Sequence, residues 1–189
     1  MPLIPGTKFI YEGVSEEGTE RIEVVVMPET RVVMGVRCVV VRDTVRLNGE
    51  IIEDTYDWYA QDRQGNVWYF GEDSKEYKKG KAVGTTGSWE AGADGAQPGI
   101  IMQANPVVGD SYRQEYYAGE AEDMAEVAAL EESVSIGFGS FTGCLKTIEW
   151  TPLEPGVMEY KYYAPNVGVV LETVRGSKER SELVEIIKE

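Results

Sequence analysis

The sequence predicts an all-β protein, folded as a single antiparallel β-barrel or a strongly curved sheet of about ten strands. Nearly every segment of its 189 residues has the pattern of a strand or a turn. No helical segments alternate with the strands, as they would in a parallel α/β sheet. Asn48-Gly49 is the strongest two-residue hairpin signal in the chain. Short strands joined by such turns are typical of closed or strongly curved antiparallel sheets, and we expect one domain over residues 1–189.

The first half of the chain predicts strands in hairpin pairs. Thr7–Gly13 and Thr19–Met27 form the first hairpin, and Arg31–Leu47 is a long run rich in β-branched residues. That run ends at the Asn48-Gly49 turn. The other predicted strands of this half are Glu50–Asp62, Asn66–Glu72 and the glycine- and threonine-rich Lys81–Glu90.

The second half begins with a predicted loop, Ala91–Gly99, because its glycines and proline break any regular pattern. Residues 119–132 leave two alternatives open. Alanine and glutamate favour a helix there, whereas Met124, Ala128 and Leu130 fit the alternation of a strand, and we expect an irregular strand. The remaining predicted strands are Ser111–Ala118, Thr142–Trp150, Val157–Ala164, Val167–Arg175 and Glu182–Lys188.

An aromatic hairpin at residues 56–72 predicts which side chains share a face. Its turn, from Asp62 to Asn66, fits a three-residue loop closed by Gly65. Because side chains alternate along a strand, one predicted face holds Tyr56, Trp58, Ala60, Trp68, Phe70 and Glu72. The other holds Asp57, Tyr59, Gln61, Val67, Tyr69 and Asp73. We expect the first face to point inward, since large aromatic side chains are costly to leave in water.

Charge and composition exclude several classes of function. The formal net charge of −15 argues against nucleic acid and anionic membranes as partners, since both require a basic surface. No apolar run is long enough to cross a membrane. The chain has no histidine, which removes Ser-His-Asp and Cys-His catalysis as well as metal sites built on imidazole.

The two cysteines, Cys38 and Cys144, both lie in strand-like segments. They can form one disulfide in an exported protein or remain as two buried thiols, and we expect the disulfide. Met1–Pro5 lacks the basic start and the length of a cleavable signal. The residues therefore fit either a cytosolic protein or the mature part of an exported one.

Several segments together resemble a group of exported bacterial β-proteins, often lipoproteins, of unassigned function. The resemblance covers about a quarter of the chain. Its segments are Pro5–Tyr11, Asp57–Asp62, Gly65–Glu72, Gly139–Phe141 and Tyr162–Val170. It implies a calycin- or lipocalin-like barrel and an extracytoplasmic location, periplasmic or secreted, and it brings no active site to this chain.

The aromatic side chains predict an interior that binds a small apolar or amphipathic molecule. Aromatic residues with polar tips can stack on a ligand and fix it with a few hydroxyls. A filled aromatic core is the alternative, but the small residues of Lys81–Glu90 leave room for a cavity. The candidate ligand-binding residues are Tyr56, Trp58, Trp68, Phe70, Glu72, Trp89, Tyr112 and Tyr116.

Carboxylates supply the candidate catalytic residues. Glu72 or Glu115 could act as acid or base if burial raises its pKa, with Arg113 or a tyrosine stabilising charge. Lyase, isomerase or cyclase chemistry would be compatible with the absence of histidine. The structural alternative is that Glu72 lies at the wet end of its strand and pairs with a lysine.

A second cluster of carboxylates predicts a calcium site at the open end of the aromatic hairpin. Asp54, Asp57 and Asp73 come close together there, and calcium takes several oxygen ligands. No EF-hand spacing is present, and a solvated acidic surface is the alternative. We expect no other cofactor.

Overall fold

A computed structural model describes residues 2–15 and 17–188, which form antiparallel strands joined by turns. The fifteen strands are β1 Thr7–Ser15, β2 Gly18–Val33, β3 Val36–Leu47, β4 Glu50–Gln61, β5 Val67–Lys78, β6 Lys81–Gly84, β7 Trp89–Glu90, β8 Gln97–Met102, β9 Ser111–Arg113, β10 Glu115–Tyr116, β11 Met124–Ile136, β12 Gly139–Trp150, β13 Glu159–Ala164, β14 Gly168–Val174 and β15 Arg180–Lys188. The all-β prediction is confirmed, but the strands number fifteen rather than about ten.

The strands form one sheet that curls into a nearly closed barrel. Its order is β10-β8-β5-β4-β3-β2-β1-β15-β14-β13-β12-β11-β9, with β6 and β7 paired to β5. The two ends of this order are successive pieces of one segment, because β9 pairs with β11 and β10 pairs with β8. Residues 111–116 therefore bridge the gap between the two halves of the sheet.

Gln114 separates β9 from β10 at this seam, and it lies against Gly99 of β8. A Cβ atom at Gly99 would lie 2.1 Å from the carbonyl oxygen of Gln114. Real Cβ atoms do not come so close to a backbone oxygen, so only glycine permits this approach. The predicted loop Ala91–Gly99 is shorter than expected, because its last three residues begin β8.

The structure divides one predicted strand, and it decides between the two alternatives for residues 119–132. The run Arg31–Leu47 is broken by a turn at Met34-Gly35, where both residues have positive φ, so that its first residues belong to β2. Residues 119–132 contain no helix. They enter β11 at Met124, and β11 pairs with β12 through three register shifts. The expectation of an irregular strand is therefore confirmed for residues 124–132.

The core is divided among three clusters of buried side chains. One contains Phe9, Val26, Val41, Val170 and Leu183, inside the half of the barrel around β1 and β15. A second surrounds Tyr112, Val127 and Tyr163 near the seam. The third contains Trp58, Phe70, Trp89, Tyr69 and Cys38, where β7 and its loop pack on the sheet. No described residue belongs to a helix long and apolar enough to span a membrane.

Candidate functional site

The barrel interior contains a cavity of about 240 Å³. Residues of β1, β2, β3, β4, β8, β13, β14 and β15 contribute to its wall, so both halves of the sheet enclose it. Most of the wall is apolar. It includes Leu3, Phe9, Val24, Val26, Val41 and Val169.

A polar row forms one part of this wall. Lys161, Glu172 and Ser181 are direct neighbours across β13, β14 and β15, and all three line the cavity. Asp43 of β3 and Tyr59 of β4 line it as well. The cavity thus combines an apolar body with a small set of polar groups, which is the usual composition of a small-molecule site.

Lys161 is held in the row by two carboxylates. Its Nζ lies 3.0 Å from Glu149 Oε2 and 3.6 Å from Glu172 Oε2. Glu149 also accepts hydrogen bonds from Thr147 Oγ1 at 2.7 Å and from the Tyr163 hydroxyl at 2.9 Å. Burial alone would raise the pKa of Glu149, but Lys161 and these donors outweigh it and lower the pKa. The pair is therefore ionised and well satisfied.

Asp43 differs from these residues in its hydrogen bonding within the described part of the chain. Its Oδ1 is buried and has no hydrogen-bond partner among the described residues, and the same is true of Ser181 Oγ. Burial raises the pKa of Asp43 to about 7, helped by the negative charges of Glu53 and Glu172. A buried polar atom without a partner costs free energy, so these two atoms mark the place where a partner is missing.

A second polar group centres on Tyr69, which stacks on Tyr59 at 4.8 Å between ring centroids. The Tyr69 hydroxyl lies 2.6 Å from Asp57 Oδ1 and 2.7 Å from Glu72 Oε2. A phenol has one proton to donate, so it can serve only one of these carboxyls. The other carboxyl must be protonated and donate to the phenol oxygen, so the trio retains at least one proton besides that of the phenol.

The pKa values agree with this proton count. Burial raises the pKa of Asp57 to about 8, opposed by Tyr69 and helped by nearby acids. Burial and then the charge of Asp57 raise the pKa of Glu72 to about 8. Glu115 reaches about 8 for the same first reason, with Asp123 and Glu72 adding to it. Glu72 is half-buried, and it hydrogen-bonds the Tyr69 hydroxyl rather than pairing with a lysine as the structural alternative expected.

A β-bulge at Gly71 places Glu72 in this group. Tyr59 pairs with Tyr69 and Ala60 with Trp68, as predicted, but Asp57 pairs with Glu72 rather than with Gly71. Two residues of β5, Phe70 and Gly71, oppose Trp58 alone. The bulge moves Glu72 to the face of Asp57, Tyr59 and Tyr69, which is the opposite face from the predicted one.

None of the eight predicted ligand-binding residues lines the interior cavity. Trp58 is buried on the other face of the sheet, where the Arg31 guanidinium lies 3.9 Å from its ring centroid. Trp58 borders a surface groove that Tyr56 also lines, and Phe70 belongs to the same cluster as Trp58. The expectation that Trp58 and Trp68 point into a hollow interior is therefore corrected, because Tyr59 and Tyr69 occupy that face.

The other predicted side chains have varied positions. Trp68 donates from its indole to Asp62 Oδ2 at 2.9 Å, which secures the hairpin turn. Trp89 packs edge-on against Tyr69, and Tyr112 is buried near the seam. Tyr116 is exposed, and the guanidinium of Arg113 lies 4.7 Å from its ring centroid. Arg113 is therefore occupied at the surface rather than next to Glu72.

The three carboxylates of the predicted calcium site do not converge. Asp54 receives two hydrogen bonds from Arg42, at 2.7 and 3.0 Å, and Asp73 pairs with Lys75 at 3.2 Å. Asp57 points to the other face, toward Tyr69. Within residues 2–15 and 17–188, no group of three or more acidic or sulfur side chains is arranged to hold a metal ion.

The predicted disulfide is absent, because both cysteines are free thiols. Cys38 belongs to the cluster around Trp58, whereas Cys144 belongs to the cluster around Leu183. Each is fully buried among apolar neighbours. The second alternative, two buried thiols, describes the structure.

Sequence reasoning missed the polar groups of the cavity. A signal was present, since Asp43 interrupts the apolar face of a β-branched strand after Val39 and Val41. Lys161 likewise shares a strand face with Tyr163. A charged residue at an inward position of a strand indicates an interior partner or a site, but the partner strands could not be identified without the fold.

Replacing Glu72 with glutamine should flatten the pH dependence of stability. A carboxyl whose folded pKa of about 8 exceeds its unfolded value of about 4 keeps a proton that the unfolded chain has lost. Each such proton lowers the free energy of unfolding by about 1.4 kcal/mol per unit as pH rises from 5 to 8. Glu72→Gln mimics the protonated acid, so we expect it to match the wild type at pH 5 and exceed it at pH 8.

Urea denaturation at pH 5, 6, 7 and 8 measures this effect. Glu185→Gln, at an exposed position of β15, removes the same charge and serves as the control. The free energy of unfolding of this control should change with pH in the same way as that of the wild type. The same pH dependence of the free energy of unfolding in both variants would contradict the raised pKa of Glu72.

The comparisons with known proteins identify no family for this chain. No family model and no curated protein matches the chain. Among solved structures, it is similar to one described as a "putative lipoprotein" from Parabacteroides distasonis ATCC 8503, with 15% identity and a TM-score of 0.47. The match covers 99% of this chain and 97% of that one. At this identity and TM-score, no activity or location is carried over to the present protein.

Proposed function

We propose that this protein is a binding module that holds one small apolar or amphipathic molecule inside its barrel. The observation that supports this is the interior cavity, whose walls are largely apolar and which contains the row of Lys161, Glu172 and Ser181. A cavity of ~150 Å³ is known to hold benzene, so one of about 240 Å³ has room for about ten non-hydrogen atoms. Binding needs no catalytic group that the chain lacks.

A cavity-filling substitution tests this proposal with 1-octanol, an uncharged amphipathic probe of suitable size. Val24 lines the cavity from β2, whereas Val32 on the same strand is 62% exposed. We expect calorimetric binding of 1-octanol to the wild type and to Val32→Trp, and at least a tenfold weaker affinity for Val24→Trp. No binding to the wild type, or equal binding to both variants, would overturn the proposal.

The trio around Tyr69 favours enzymatic catalysis as a second candidate function. A carboxylic acid that keeps its proton at neutral pH is what a general acid requires, and burial raises the pKa of both Asp57 and Glu72 to about 8. These two side chains do not line the cavity, so binding remains the first proposal. Mass spectrometry of a molecule bound before and after long incubation tests the alternative: chemical change with the wild type, and none with Glu72→Gln, would favour an enzyme.

We also propose that the protein works outside the cytoplasm. The support is the resemblance of its hairpin and turn segments to exported bacterial β-proteins. Fractionation of cells that make the protein naturally tests this, and recovery with the cytoplasmic fraction would contradict it.

A further inference from the structure

We propose that the ligand of the interior cavity carries a basic nitrogen, and that Asp43 binds it as an ammonium group. This inference rests on the proposed binding function and adds the chemical class of the ligand. It follows from the charges that line the cavity and from the groups among them that lack a partner.

The charged groups around Lys161 carry an excess of negative charge. Among residues 2–15 and 17–188, Lys161 is the only lysine or arginine of the cavity wall, and it is already paired with Glu149 and Glu172. These three groups together carry one net negative charge before Asp43 is counted. A carboxylate ligand would be repelled by this group, because the one available ammonium is already saturated with partners.

Asp43 is positioned to receive the ammonium group of such a ligand. It lines the cavity, and its Oδ1 is buried without a hydrogen-bond partner among the described residues. Ser181, in the same wall, has an unpartnered buried hydroxyl oxygen. An ammonium group donates up to three hydrogen bonds, so one nitrogen could serve both oxygens, and its charge would also balance the excess of carboxylates.

The rest of the cavity wall is apolar. Beyond the polar groups, the cavity is lined by aliphatic and aromatic side chains such as Phe9, Val26 and Val41. Apolar walls bind a hydrocarbon portion through burial of its surface. The ligand class is therefore an amine with a short apolar body, of about ten non-hydrogen atoms.

Binding of an ammonium should depend on pH in a defined direction. Burial and the charges of Glu53 and Glu172, opposed by Lys161, raise the pKa of Asp43 to about 7, so at lower pH the carboxyl must lose a proton before it pairs with a cation. An alkylamine stays protonated over this range, with a pKa similar to the ~10.4 of lysine. Its affinity should thus fall about tenfold per pH unit below 7, which is about 100-fold between pH 8 and pH 5.

The test compares n-octylamine, 1-octanol and octanoate by calorimetry at pH 5 and pH 8. The three probes share one apolar chain and differ in charge. We expect n-octylamine to bind at least tenfold more tightly than 1-octanol at pH 8, octanoate to bind most weakly, and only the amine to lose affinity at pH 5.

Two variants separate a specific site from attraction to an acidic protein. Asp43→Asn should abolish both the preference for the amine and its pH dependence while 1-octanol still binds. Asp73→Asn removes the same charge at a surface position paired with Lys75, and it should behave as the wild type. Should Asp43→Asn fail to fold, Asp43→Ser provides the same comparison with a smaller neutral side chain.

The outcomes distinguish this inference from the function on which it rests. Binding of 1-octanol without a preference for the amine overturns the inference and leaves the binding function intact. Equal loss of amine affinity in Asp43→Asn and Asp73→Asn shows general electrostatic attraction and also overturns it. Failure of all three probes to bind overturns the proposed function itself.

Discussion

Replacing Lys161 with methionine is expected to destabilise the protein by about 3–5 kcal/mol, the usual cost of leaving one partner of a buried ion pair alone. The reason is Glu149, whose side chain is only 7% exposed and which lies 3.0 Å from the lysine nitrogen. Without Lys161, a buried carboxylate keeps only neutral donors, Thr147 and Tyr163. Its pKa should rise, so the loss of stability should be smaller at pH 5 than at pH 8.

Urea denaturation of three variants measures this effect. Lys75→Met removes a lysine that is paired with Asp73 at the surface, and it should change the free energy of unfolding by less than about 1 kcal/mol. The double variant Lys161→Met with Glu149→Gln should recover much of the loss, because no buried charge remains. Equal effects of Lys161→Met and Lys75→Met would show that the interior pair is not shielded from water.

Replacing Gly71 with alanine is expected to cost about 2–6 kcal/mol, because two separate effects add. Gly71 has a φ of 129°, which side-chain-bearing residues rarely adopt. An added Cβ would also lie 2.2 Å from the carbonyl oxygen of Trp89, in the strand that pairs with the bulge. Since the atoms that the added Cβ would meet belong to the backbone of Trp89 and Glu90, the clash can be relieved only by moving β7 or by removing the bulge.

Gly80→Ala is the matched control, because Gly80 has a φ of 72° and nothing lies within 4 Å of an added Cβ. It should lose only about 1–2 kcal/mol, the ordinary cost of a left-handed backbone for an L-residue. The difference between the two variants measures the contact with β7 together with the extra backbone strain of a φ of 129° at Gly71. If both lost the same stability, the bulge would not be held by that contact.

The same bulge shows how far the aromatic hairpin could be predicted. Its turn, and the pairs Tyr59 with Tyr69 and Ala60 with Trp68, follow from local turn chemistry and alternation, and the structure has them. Beyond Phe70 the register changes, because β7 returns to pair with β5 at Gly71. A glycine at that position was visible in the sequence, but its partner strand was not.

Glu72 is a candidate residue whose neighbours differ from those predicted. The sequence indicated a carboxyl shielded by aromatic side chains, and Glu72 does bind the Tyr69 hydroxyl. The predicted neighbours were Trp58 and Phe70, which lie on the opposite face. The one-residue shift at Gly71 exchanged the faces, as any odd register change must.

By itself, the sequence determined the all-β class, most hairpins and the absence of histidine chemistry, because alternation, turn residues and composition are local properties. The tertiary structure alone decided that Asp43, Lys161, Glu172 and Ser181 meet around one cavity. Lys161, Glu172 and Ser181 come from the successive strands β13, β14 and β15, whereas Asp43 comes from β3, far away in the chain. Asp43 faces the other three because the sheet curls between β3 and β13 through β2, β1, β15 and β14, and the pairing of β1 with β15 is a long-range contact that no short segment encodes.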